Sequence, residues 1–302
     1  MTTMTDDPGI APAEDHKADI TASTQFLVVG VLLALGILCV GFLANLIVVS
    51  QLIHARDQEV LYSDFRSELA NAIAPVGQTD INGALLVPGA AVAVLEIPDL
   101  GMREVVVEGT TSTVMESGPG HKRDTVLPGQ AGVSVIYGRQ AAFGGPFGQL
   151  EILQPGMKII ATTGQGPAEY EVTGVRRPGD PVPAPVASGE GRLTLVTAMG
   201  PRFMPTDVLR VDAALVTDPQ PAPTRVLTAA AMDPAEQAMA GDPAALVPLL
   251  LWLQLLLVVV VLTTWLAIRW GKWQAWLIAV PVILFVGVSA SMSAIRLLPN
   301  LM

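Results

Sequence analysis

"GRLTLVTAMGPRF", residues 191–203, reads as a β-strand that closes on a small residue and runs into a loop. The strand closes on Ala198, whose methyl side chain carries no reactive group. Six more β-rich runs surround this one: "AVAVLEIPDL" (91–100), "REVVVEG" (103–109), "VSVIYG" (133–138), "KIIATTG" (158–164), "EYEVTGV" (169–175) and "VLRVDAALV" (208–216). Turns at Pro98, Gly118-Pro119-Gly120, Gly144-Gly145-Pro146, Pro155-Gly156 and Gly164 separate them. Many short strands at this spacing predict a sandwich or barrel.

The rest of the chain belongs to a membrane. Of 302 residues, 51% are hydrophobic and 15% charged, and the mean hydropathy is +0.52. That is too apolar for an ordinary soluble protein. A net charge of −10 argues against nucleic acid as a partner, because phosphate backbones bind basic surfaces. Cys39 is the single cysteine, which excludes an intramolecular disulfide, and it is expected to be a buried apolar thiol. His16, His54 and His121 are far apart and carry no ligand-spaced carboxylates, so no metal site is expected.

The expected organisation is a cytoplasmic disordered tail (1–24), a first transmembrane helix (25–50), a juxtamembrane helix (51–78), a β domain (79–217), a Pro/Ala-rich linker (218–245), two more transmembrane helices (246–268 and 274–295) joined by a cytoplasmic loop (269–273), and an outer tail (296–302). Each span is uncharged and long enough to cross a bilayer. The first is expected to be a retained anchor, because no small-residue cleavage site follows its long apolar core. Arg269 and Lys272 make the short loop basic and place it inside. The N-terminus is then inside, the C-terminus outside, and the main domain outside the cytoplasmic membrane. The five tryptophans fall near the span ends, where an interfacial belt belongs. Asn45 is expected to mark a helix contact. Gly287, Ala290, Ser291 and Ala294 form small-residue pairs that suit either the chain's own helices or a membrane-protein partner. In 51–74, Leu52, Val60, Leu61, Phe65, Leu69 and Ile73 recur at helical steps, and Pro75 and Gly77 end the helix.

The runs "LEIPDLGMREVVVEGTTSTVMESGPGH" (95–121), "TVLPGQAGVSVIYGRQAAFGGPFGQLEILQPG" (125–156), "LTLVTAMGPRF" and "LRVDAALV" together resemble the sortase family, and most of all its actinobacterial class E type. The resemblance implies an all-β, eight-stranded β-barrel outside a Gram-positive cell. It also implies a membrane-anchored cysteine transpeptidase that cuts a sorting signal and joins it to a cell-surface amine. That chemistry uses a cysteine at the end of a "TLxTC" strand, a histidine and an arginine.

This chain departs at all three positions, which the resemblance assigns to Ala198, Arg139 and Val208. A methyl group cannot attack a carbonyl, and a guanidinium stays protonated. A slip of the alignment lets Arg210 serve for Val208, since residues two apart in a strand share a face. Thr197 is expected to face away from Ala198, and Thr194 to lie about 13 Å back along the strand. Ser134 has no base near it in sequence, and His121 is expected to be structural. The glycines of "GRQAAFGGPFGQL" (138–150) lack the lysine of a phosphate loop and read as turns, so no cofactor is expected. The resulting expectation is an inactive pseudosortase whose groove still takes a sorting-signal-like peptide or a cell-wall component. Arg139, Arg202, Arg210, Phe143 and Phe147 are the candidate groove residues, with core packing the other reading of the two phenylalanines. The alternative is an active transpeptidase or hydrolase with a non-cysteine nucleophile.

Overall fold

The computed structural model describes residue 36, residues 38–269 and residues 272–302. The chain divides into a unit Met1–Leu43, most of which is outside the described residues, and a unit Ala44–Met302 that holds the barrel and the site. The expected tail 1–24, the start of the first span and part of the loop 269–273 also lie outside the described residues.

Eight strands close into a barrel. They are β1 (Ala91–Ile97), β2 (Met102–Glu108), β3 (Gly120–His121), β4 (Gly132–Tyr137), β5 (Lys158–Thr163), β6 (Gly166–Arg176), β7 (Gly191–Met199) and β8 (Asp207–Leu215). Their order around the barrel is β1-β2-β3-β4-β7-β8-β6-β5, closed by β1 on β5. Closure leaves no strand edge free. The pairs β2/β3 and β4/β7 are parallel and the others antiparallel. All seven runs read as strands in the sequence are strands. The eighth, β3, has two residues, too few to show a period.

Alternation gives each strand two jobs. Val92, Leu95, Ile136, Leu193, Leu195, Leu209 and Val211 fill the interior. On the outer wall of β1 and β2, Ala91, Val94 and Val105 pack against Phe65 of helix α1 (Ser50–Ala70), with Leu61 and Leu69 alongside. The helix so covers an apolar sheet face that would otherwise meet water. Leu52, Val60 and Ile73 were expected on the same stripe but are exposed.

Helix α1 stops at Ala70, before the expected Pro75. Ala72 takes a left-handed φ of 55°, the Ala72 N–H donates to the Leu69 carbonyl, and the Ile73 N–H donates to Glu68. That is a Schellman end, formed on an alanine where glycine is usual.

Three helices are long and apolar enough to cross a membrane: Leu38–Ala70, Pro243–Leu266 and Leu277–Arg296. A π-helical turn, Asn45–Val49, interrupts the first. There the Asn45 Nδ2 donates to Ser291 Oγ at 2.8 Å, so the expected helix contact forms within the chain. Ser291 lies in α3 (Lys272–Arg296), which packs against α2 (Leu246–Arg269).

Composition reads 218–245 as a linker, but the structure makes it a strap along the barrel. Gln78 Oε1 accepts from the N–H groups of Val226 and Leu227. Thr110 Oγ1 donates to the Glu236 carbonyl at 2.6 Å. Three short 3₁₀ turns punctuate it at Ala229–Ala231, Pro234–Glu236 and Pro243–Ala245, the last two capped by Asp233 and Asp242.

Candidate functional site

The register of β7 and β8 fixes the site. Ala198 pairs with Val208, and Val196 pairs with Arg210. On the other side Val196 lies beside Tyr137 of β4. Paired residues share a face, so Tyr137, Val196, Ala198, Val208 and Arg210 form one patch on the outer wall. Arg210 therefore stands two residues from Val208 on the same face, as the alternative alignment requires. It is half-buried and makes no ion pair among the described residues. Burial pushes the Tyr137 phenol up, and the charge of Arg210 acts against that shift.

The patch is covered. Met115 and Leu301 pack onto it, with Ala238 and Met239 of the strap at its edge. Ala198 is 2% exposed. No reading of the sequence placed residues 234–240 or 297–302 here. Their one signal was the apolar "LLPNLM" after Arg296, which a membrane span does not need.

The loop after β4 turns back on itself, with the Phe147 N–H donating to the Arg139 carbonyl at 3.0 Å. Gly138 allows this fold-back, since a Cβ there would lie 2.3 Å from the Phe147 ring. Phe147 consequently enters the barrel core, which bears out the core-packing reading and corrects the groove one. Phe143, at a left-handed φ of 50°, is also buried and lies 4.9 Å beneath the Arg139 guanidinium.

Arg139 is likewise withdrawn from solvent, at 1% exposure. Its Nη2 donates to the Ser112 carbonyl at 2.7 Å and to Ser112 Oγ at 2.9 Å, and its Nε to the Met115 carbonyl at 3.2 Å. These bonds hold the turn that carries Met115 over the patch. Burial lowers the Arg139 pKa to about 10, against the pull of Glu116, and so leaves it a cation at neutral pH. It braces the wall of the groove and is not displayed to a ligand. Arg202 is exposed in the loop between β7 and β8.

The hydroxyls near Ala198 in sequence are elsewhere in space. Thr197 and Ser134 pair with Leu209 and Leu193 and share their inward face; both hydroxyls are buried without a partner. Thr194 does share the outer face, but its Oγ1 donates to Asp212 at 2.8 Å, and Asp212 also pairs with Arg176. His121 is 1% exposed, and both its ring nitrogens are engaged away from the patch residues. Its Nδ1 lies 2.8 Å from Glu108 Oε2 and its Nε2 2.9 Å from the Val126 carbonyl oxygen. Two acceptors on one ring suit the doubly protonated form. Burial draws the His121 pKa down, but the Glu108 charge and these hydrogen bonds outweigh it, and the net shift is upward. Among the described residues, no three His, Cys, Asp or Glu side chains come together as a metal site.

A closed eight-stranded barrel of this order is typical of the sortase fold. Residues 95–214 match the family model described as the sortase domain. Solved sortases resemble the chain at low identity. The sortase D5 transpeptidase of Clostridium perfringens is 23% identical, over 55% of this chain and 99% of that one, with a TM-score of 0.42. The SrtF sortase of Corynebacterium diphtheriae is 25% identical, over 50% and 96%, at 0.39. Sortase E1 of Streptomyces coelicolor, solved with a tripeptide in its active site, is 21% identical, over 44% and 92%, at 0.38. No curated protein matches the sequence. The region of this match carries Ala198, Val208 and Arg139 where the sequence resemblance expects its chemistry.

Proposed function

We propose that the chain is a membrane-anchored sortase-like protein of the cell surface, of class E type, that has lost transpeptidation and acts as a peptide-binding or scaffold component. The observation that carries this reading is the Ala198 patch. The side chain at the nucleophile position is a methyl group packed among Tyr137, Val196 and Val208. Nucleophilic catalysis needs an activated lone pair and a proton carrier. Thr194 is committed to Asp212, Thr197 and Ser134 face the core, and Arg139 remains charged. With nucleophile and proton carrier lost together, repair by a single neighbour has no route. What the site keeps is a wall of strands and the cation Arg210, which suit an extended peptide with a carboxylate nearby.

The test is capture of a peptide library by the full chain in detergent micelles, with mass spectrometry of bound and unbound fractions. The expected result is retention of a subset of peptides, all intact. Cleaved or amine-joined products would overturn the reading in favour of an active enzyme.

A further inference from the structure

The segment after α3 is held as a ligand is held. Leu301 is fully buried in the patch over Ala198, and Asn300 and Met302 are buried beside it. Backbone bonds fix the segment, which closes as a turn, the Met302 N–H donating to the Pro299 carbonyl at 3.0 Å. The N–H groups of Gln140 and Ala142 donate to the backbone oxygens of Leu301 and Met302, at 2.9 and 3.0 Å, and the Asn300 N–H donates to the Ala240 carbonyl at 2.8 Å. The Asn300 Nδ2 is shared between the carbonyls of Thr110 and Gln237, at 2.7 and 2.9 Å.

The fit is incomplete. Asn300 Oδ1 and Gln140 Oε1 are buried without partners, and such orphans weaken the hold of a segment below what its buried surface would give. Two features keep it seated. Arg296, just before it, forks onto Glu116. Gly241 lets the strap approach so closely that a Cβ there would lie 2.3 Å from the Leu297 carbonyl oxygen.

We propose that the groove over Ala198 is a peptide site filled in cis by Leu297–Met302, and that a peptide arriving in trans must displace this segment. The proposal rests on the peptide-binding reading above and adds its regulation. It also names the ligand class: a peptide that turns as residues 299–302 do, with a primary amide followed by an aliphatic side chain. Two carbonyls converge on the amide and accept its N–H bonds, so a carboxylate at that position would be repelled.

The probe is a fluorescein-labelled peptide with the sequence of residues 296–302, titrated by fluorescence anisotropy. The hosts are the full chain in micelles and a version that stops after Leu297. The shortened chain should bind saturably, and the full chain about tenfold or more weakly, because only the fraction with an open groove is competent. A probe carrying Asn300→Asp should bind the shortened chain about tenfold worse. Equal binding by both chains overturns the proposal. So does failure of the shortened chain to bind while its circular dichroism retains the barrel. If the shortened chain does not fold, Gly241→Ala in the full chain serves instead. It wedges the segment out, and probe affinity should rise about threefold or more; no rise overturns the proposal. Turnover of the probe by an opened chain would sink the inactive reading while upholding displacement. Retention of the probe with no library peptide retained would sink the external-peptide reading and still uphold the cis occupant.

Discussion

Glu116 accepts both guanidinium hydrogen bonds of Arg296, at 2.7 and 3.0 Å, and so ties the end of the last helix to the turn beside the groove. The carboxylate is largely buried and the guanidinium about one-third exposed. Arg296→Ala should therefore destabilise the full chain by about 1–2 kcal/mol, the low end of the range for hydrogen bonds to charged groups once the exposure of Arg296 is allowed for. Arg296→Lys should recover part of this, since an ammonium keeps the charge but loses the fork. Thermal unfolding in micelles reads both, and a melting temperature unmoved by Arg296→Ala would contradict the role.

His121 makes stability fall with rising pH. Its folded pKa lies above the ordinary value because the Glu108 charge and hydrogen bonds outweigh the opposing effect of burial. A raised pKa contributes stability that is complete below about 6.5 and is lost as pH climbs through the folded value. The melting temperature should drop over the window that opens near the ordinary value of about 6.5 and closes above the folded one. In Glu108→Gln the burial effect is left largely alone, and the slope should reverse over the lower part of that window. A slope identical in wild type and Glu108→Gln would remove His121 as its source.

Ala198→Cys, in a Cys39→Ser background, places a thiol where exposure is 2%. It should react with a maleimide about tenfold or more slowly than an exposed cysteine such as Asp180→Cys, because buried thiols are inert. Fast labelling in the otherwise unaltered chain would mean that the patch is open.

The orientation has its own readout. The basic loop predicts residue 271 inside and residue 180 outside. A membrane-impermeant thiol reagent added to whole cells should label Asp180→Cys and spare Gly271→Cys. The opposite pattern would invert the topology.

The barrel was legible because its strands carry alternating apolar runs between Gly and Pro turns, and β7 and β8 even fixed which residues share the groove face. What covers the groove was not legible. Asn300 is held by the carbonyls of Thr110 and Gln237, and backbone acceptors leave no mark on a sequence. The strap was lost for the same reason: Gln78 holds it through the backbone of Val226 and Leu227. For Phe147, flanking a glycine turn, the sequence left core packing and groove lining both open. The fold-back over Gly138, a tertiary event, sends it inward. The end of α1 was misplaced because Pro75 and Gly77 are strong stop signals, whereas Ala72 in a left-handed conformation is not a stop that composition announces.

The central claim is that no side chain at the groove can form a bond to substrate. The direct measurement is intact-protein mass after the Cys39→Ser chain is incubated with a peptide carrying an electrophilic ketone. The account predicts an unmodified mass, both in the full chain and after removal of residues 298–302. A stoichiometric adduct on Thr194, Thr197 or Ser134, lost when that residue is replaced by alanine or valine, would contradict it.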